Sequence, residues 1–335
     1  MAGAWFPDFA VATVTALIVT PLLARKGAAS AHRAPLATAA GPLIGVGFAV
    51  PFAVAHLDAV SSVGLVGAAW LWCAGQLMDR RLLPHVLRRV AVGAAAALVV
   101  LAGLRLEVTG VEWADVVVTL GVVWLATSTW RSAETRDGLL LGWAAAIAAG
   151  AGVIGGLGGQ ADIAVLGAAV VGASLGFVAY VVPPVAARLR TGGALFLGFL
   201  TVVLALTAKP STPAPGTALA PLLLLALPLI DALFAGAARL RGRGNEPRTL
   251  GLVGRWRAFG LSRTATTVGL VAVQVGLGFV ALLAARGVLD FAPAAAIGGV
   301  IVVLTVGPAF AVRLDRPRGR WPRWILGLAA LAVGG

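Results

Sequence analysis

The sequence predicts an all-α, polytopic integral membrane protein with about eleven transmembrane helices and its N-terminus outside. Three observations predict it. Apolar residues make up 60% of the 335 positions and charged residues only 12%, about half the charged share of an ordinary soluble domain. The apolar residues fall in runs of the length that crosses a bilayer, ~20 residues. The runs lack the period-two alternation of barrel strands, so helices are the way to satisfy their backbone groups in hydrocarbon.

The predicted spans lie at residues 5–24, 40–57, 59–77, 88–104, 113–129, 139–157, 163–184, 192–208, 217–237, 264–285 and 290–312. The first is followed, not preceded, by Arg25 and Lys26 and is too long for a cleaved leader's core, so it reads as a retained helix. His56 to Asp58 is all that separates the second and third spans, which predicts a tight hairpin. The whole of 1–335 reads as one integral membrane domain, ending in a basic stretch and a short apolar tail over 313–335. That tail, Trp324 to Gly335, is too short to span and suits the interface. No segment between spans is long enough to fold alone, and no internal repeat stands out.

The formal net charge is +13. All but three of the 26 Lys and Arg residues fall in the odd-numbered loops, at the span start that adjoins the third loop (Arg88 and Arg89) or after the last span; the exceptions are Arg105, Lys209 and Arg286. Such asymmetry places the odd loops in the cytoplasm, and so the protein in the cytoplasmic (inner) membrane as a multi-pass chain. No basic stripe is interleaved with aromatics, so nucleic acid is not an expected partner. The seven arginines of the ninth loop read chiefly as anchors to anionic membrane lipids. Cys73 is the only cysteine, which excludes an intrachain disulfide. Pro210 to Pro215 reads as a stiff outer turn, and Glu107, Glu112 and Asp115 as solvated outer acids.

Four acids sit at predicted cytoplasmic ends of spans: Asp79, Glu134, Asp137 and Asp231. Acids at membrane depth point to function by default, although those near helix ends reach water. Each has a structural alternative. Asp79 can pair with Arg80 or Arg81, and Asp137 with Gly138 can cap the sixth span. Asp231 lies deeper, which weakens a surface role. His32 suits a loop histidine as well as a ligand.

The strings around these acids carry more. They are Gly-Gln-Leu-Met-Asp-Arg-Arg-Leu-Leu-Pro (75–84), Arg-Ser-Ala-Glu-Thr-Arg-Asp-Gly-Leu (131–139) and Gly-Phe-Val-Ala-Tyr-Val-Val-Pro-Pro (176–184). Arg-Leu-Arg-Thr-Gly-Gly-Ala-Leu-Phe-Leu-Gly-Phe (188–199), Leu-Pro-Leu-Ile-Asp-Ala-Leu-Phe (227–234) and Phe-Gly-Leu-Ser (259–262) follow in order. The ordered set resembles the polyprenyl-phosphate sugar-1-phosphate transferases, which load a phospho-sugar from a UDP-sugar onto undecaprenyl phosphate. His32, Arg33, Pro35 and Gly41 match a first-loop string of that family.

The resemblance implies a catalytic set that this chain has largely lost. The family's paired aspartate reads Met78-Asp79 here. Arg131 and Glu134 stand where the family has asparagines, while Asp137 and Gly138 remain. The family's Met-Gly-Asp string, whose aspartate binds Mg²⁺, matches Leu189, Arg190 and Thr191. Its His-x-His-His cluster falls on Gly251, Val253 and Gly254. Mg²⁺ prefers carboxylate oxygen, so no metal and no cofactor is expected. Losing one electrostatic group commonly costs ~10²–10³ in rate.

Asp79 and Asp137 are thus expected as catalytic remnants. Arg131, Arg190, His32 and Arg33 are expected to hold a polyprenyl phosphate, with Asp231 and Glu134 as further retained polar groups. The function expected is that of a pseudoenzyme in cell-envelope glycan assembly, binding lipid phosphate or a protein partner of that machinery. An active transferase with a rearranged site is the alternative. A transporter is the weaker third reading, since neither mid-membrane charges nor paired broken repeats are evident.

Overall fold

The computed structural model describes residues 14, 59–84, 86–134, 138–181, 189–209, 219–240 and 251–311. The described residues are all-helical. In chain order the helices are α1 (Ala59–Asp79), α2 (Leu87–Leu101), α3 (Glu112–Glu134), α4 (Leu139–Leu157), α5 (Ala161–Val181) and α6 (Arg190–Thr207). They continue with α7 (Ala220–Leu224), α8 (Ala226–Leu240), α9 (Leu252–Ala258), α10 (Arg263–Ala285) and α11 (Phe291–Ala311). Five of them, α3 to α6 and α10, are long and apolar enough to cross a membrane. Shorter apolar stretches lie in α8 and α11. Apart from Val14, the predicted spans at 5–24 and 40–57 fall outside the described residues; the other nine coincide with helices, the ninth divided between α7 and α8.

α6 is the axis of the bundle. Every residue from Thr191 to Thr207 is buried, and α1, α3, α4 and α5 pack around it. In an apolar solvent, helices associate through close van der Waals contact, which small residues permit. Gly64, Gly67 and Gly75 of α1 face Val203, Phe199 and Gly192 of α6, so these two helices run antiparallel. Gly155 and Gly167 set α4 and α5 antiparallel, through Ile163 and Gly152. Gly142 and Gly150 of α4 meet Val271 and Gly278, so α4 and α10 run the same way.

Local chemistry explains the ends. Ser262 opens α10 by accepting from the Ala265 amide at 3.1 Å, a common start that satisfies an orphan donor. Gly138 precedes α4 at φ 84°, a left-handed turn that disfavours any residue with a Cβ. At the opposite end of the bundle, Gln160 joins α4 to α6: its Oε1 accepts from the Lys209 amide at 2.8 Å and its Nε2 donates to the Thr207 carbonyl at 3.1 Å.

Asp115 corrects the sequence reading. It is 5% exposed, not a solvated acid. Its Oδ1 accepts from the Thr109 amide (2.8 Å), the Thr109 hydroxyl (2.8 Å) and the Val108 amide (3.1 Å), which folds the preceding loop onto the start of α3. Glu112 does stay exposed, where it pairs with Arg105.

The alternating directions collect one set of ends together. Asp79 to Arg81, the last turn of α3, the starts of α4 and α6, α9, and the start of α10 share one end of the bundle, called here the basic end.

Candidate functional site

Two junctions build the basic end. At the first, α1 crosses the start of α6 with main chain against main chain. A Cβ at Gly75 would lie 2.6 Å from the Gly192 nitrogen, and one at Gly192 would lie 3.1 Å from the Trp72 carbonyl oxygen. This approach brings the Asp79 carboxylate to the first turn of α6, where Oδ2 accepts from the Gly192 amide at 3.2 Å. An anion there satisfies an orphan N–H and meets the positive end of the helix dipole. Asp79 is thus engaged with main chain across the junction, not with Arg80 or Arg81. Arg190, the first residue of α6, is half-buried with φ 55°, and Thr191 beside it is buried.

At the second junction, Asp231 of α8 is fully buried. Its Oδ1 accepts from the Leu252 amide at 2.7 Å, at the start of α9. Gly251 makes this possible: a Cβ there would lie 2.9 Å from the Asp231 carboxyl carbon. α9 is fastened further by Arg255. Its guanidinium stacks 4.7 Å from the Phe234 ring centroid, and its Nη1 donates to the Ala309 carbonyl at 3.1 Å. The Trp256 indole donates to the Thr305 carbonyl at 2.9 Å.

α3 joins the two junctions. Trp130 packs on Gly198 of α6, and the Thr129 hydroxyl, which donates to the Ala126 carbonyl of its own helix at 2.7 Å, also lies 3.4 Å from the Pro228 carbonyl of α8. The expected site residues therefore divide. Asp79, Arg190 and Asp231 lie at the basic end, the first two at one junction and the third at the other. Arg131 and Glu134 belong to the last turn of α3, and their side chains lie outside the described residues. Asp137, His32 and Arg33 lie outside the described residues altogether.

The donors at the first junction do not fit Mg²⁺. Met78 is a buried thioether, Thr191 offers a buried neutral hydroxyl, and Asp79 is bonded to a backbone amide. A hard dication prefers several carboxylate or water oxygens. The positions that the resemblance matches to histidines hold Gly251, where a Cβ would meet the Asp231 carboxyl group, buried Val253, and Gly254.

Sequence reasoning missed the packing roles of Gly75, Gly192, Gly251 and Thr129. Their signal is weak, because small residues recur along every helix of this chain. α9 was missed because seven residues in an arginine-rich loop make no span. Its pattern, apolar Leu252, Val253 and Trp256 against Arg255 and Arg257, was available.

If Asp79 serves chiefly to hold the start of α6, an acceptor suffices and a charge does not matter much. Asp79→Asn should unfold within a few tenths of a kcal/mol of the parent, while Asp79→Ala should lose about 1 kcal/mol. Thermal unfolding of purified protein in detergent reads both. Equal losses in the two variants would contradict the capping role.

No protein-family model matches the chain, and no curated protein matches it.

Proposed function

We propose that this chain is a degenerate relative of the polyprenyl-phosphate sugar-1-phosphate transferases. It crosses the cytoplasmic membrane eleven times with its N-terminus outside, and its basic end faces the cytoplasm and anionic lipid. It binds a polyprenyl phosphate without transferring a sugar phosphate, and so serves cell-envelope glycan assembly as a lipid-phosphate holder or as a scaffold for a protein partner.

The observation that carries this reading is the commitment of Asp79 and Asp231 to backbone amides at two helix starts. In each carboxylate one oxygen is engaged by a helix start, which leaves the group less available to a metal ion or a proton. Two further features support it. Asp79 and Thr191, whose family counterparts are a catalytic aspartate and the metal aspartate, belong to one junction of α1 with α6. Arg190 places a permanent cation beside that junction, where a guanidinium grips phosphate with a fixed fork of donors.

The test is binding of radiolabelled undecaprenyl phosphate to the purified full chain in EDTA. The wild type should bind, and the double variant Arg131→Ala with Arg190→Ala should bind at least tenfold more weakly, the equivalent of ~1.4 kcal/mol. Binding that requires Mg²⁺, or that is indifferent to both arginines, would remove the proposal.

A further inference from the structure

The face of α1 that meets the start of α6 carries three half-buried polar side chains, Trp72, Gln76 and Asp79. Steps of four and then three residues keep to one side of a helix. Gly192 is where that side touches α6. A Cβ there would lie 3.0 Å from Gln76 Nε2 and 3.1 Å from the Trp72 carbonyl oxygen. Its amide is the group that donates to Asp79 Oδ2, at 3.2 Å. One glycine thus gathers Gln76 and Asp79, with Trp72 one turn behind them.

These groups have hydrogen-bonding capacity left over. The Trp72 indole nitrogen is enclosed and has no partner among the described residues. An enclosed donor is rarely left so in a native protein. The Gln76 carboxamide and Asp79 Oδ1 also make no hydrogen bond among the described residues. Trp72 can only donate, ionised Asp79 can only accept, and Gln76 can do both. Beside Gly192, buried Thr191 adds a hydroxyl and Arg190 a permanent positive charge.

That inventory selects among anions. A phosphate monoester carries close to two negative charges at neutral pH and offers oxygen acceptors. It would suit Trp72 and Arg190, but it would set its charge against the Asp79 carboxylate and leave Gln76 Oε1 unmet. A phosphodiester carries one charge. Hydroxyls next to its phosphate can donate to Asp79 Oδ1 and Gln76 Oε1 and accept from Gln76 Nε2. A site built to hydrogen-bond a hydroxyl discriminates strongly against the analogue that lacks it, because its own polar groups are then left unpaired.

We propose that the first junction is a headgroup site for a phosphodiester lipid with hydroxyls beside its phosphate. Gln76 and Asp79 read the hydroxyls, and the Trp72 indole donates to the phosphate. Two sources share this chemistry: a glycerophospholipid with a polyol headgroup, and a polyprenyl phosphate that already bears a sugar. The inference rests on the lipid-phosphate reading of the basic end and narrows it from any lipid phosphate to a hydroxylated one.

The test measures binding of radiolabelled lipids to the purified full chain in detergent with EDTA, in two matched pairs. Phosphatidylglycerol and phosphatidylethanol are both singly charged diesters, and only the first has headgroup hydroxyls. Undecaprenyl phosphoglucose and undecaprenyl phosphate differ by the sugar. The hydroxylated member of at least one pair should bind at least tenfold more tightly, and the pair that shows the preference identifies the source. Gln76→Met, which keeps the length of the side chain and removes its amide, should cut the preference to below threefold. Should Gln76→Met fail to fold, Trp72→Phe decides: it removes the indole donor and should weaken binding of the preferred lipid at least threefold. Equal binding within both pairs would overturn the proposal. So would a preference that Gln76→Met leaves intact, or Trp72→Phe binding at the parent's level. Binding of none of the four lipids would instead remove the lipid-phosphate reading, and this inference with it.

Discussion

Gly75→Ala is expected to destabilise the protein by about 3 kcal/mol or more, the upper part of the range for overpacked interiors. The added methyl would meet the Gly192 nitrogen at 2.6 Å and the Thr191 carbonyl carbon at 3.0 Å. Both are main chain, so no side chain can turn aside, and α1 must separate from α6. That separation also removes Asp79 from the start of α6. Gly93→Ala is the control: nothing lies within 4 Å of a Cβ there, and exchanging glycine for alanine inside α2 should stabilise it by up to about 1 kcal/mol. Thermal unfolding in detergent distinguishes the two. A Gly75→Ala protein as stable as its parent would mean that α1 and α6 do not cross in this way.

Gly251→His, which returns one family-like histidine, is expected to damage the protein and restore nothing. Its Cβ would fall on the Asp231 carboxyl group. Asp231 must then release the Leu252 amide, leaving a buried donor without its acceptor, at about 1–3 kcal/mol. α9 should detach, which raises amide hydrogen exchange over residues 252–258. Unchanged exchange in that segment would show that the junction has room for a histidine and that the basic end is more open than described.

The helices were legible because a bilayer leaves little choice: an apolar run of the right length must satisfy its own backbone. The alternating directions were legible in the placement of arginines, and the packing of α1, α4, α6 and α10 follows the same alternation. The break at Leu225 was not legible. Pro228 sits in an unbroken apolar run, and prolines are tolerated in membrane helices when a neighbour serves the freed carbonyl. That neighbour, Gln274, whose Nε2 donates to the Leu224 carbonyl, is 50 residues away in sequence. Asp115 was misread for a related reason. Its partners, Val108 and Thr109, precede it in a loop whose fold brings them back onto α3, so composition alone suggests a solvated acid.

Candidate site residues were found by resemblance and by the rarity of acids, but their roles were not. An aspartate at a span's end is equally suited to a metal, an arginine or a helix start. The choice depends on what crosses it: Gly192 for Asp79, and Leu252 behind Gly251 for Asp231. The departures at Met78, Thr191 and Gly251 from the letters of the resembled family were visible in sequence. That the surviving carboxylates are tied to backbone amides was not.

The most direct measurement is release of UMP by the purified full chain in the presence of undecaprenyl phosphate, Mg²⁺ and UDP-N-acetylglucosamine or UDP-N-acetylmuramoyl-pentapeptide. With Asp79 and Asp231 holding helix starts, and with Thr191 at the position that the resemblance matches to a metal ligand, no UMP above a no-protein control is expected. Sustained UMP release that disappears in Asp79→Asn and in Asp137→Asn would contradict it, and would establish an active transferase built on a rearranged site.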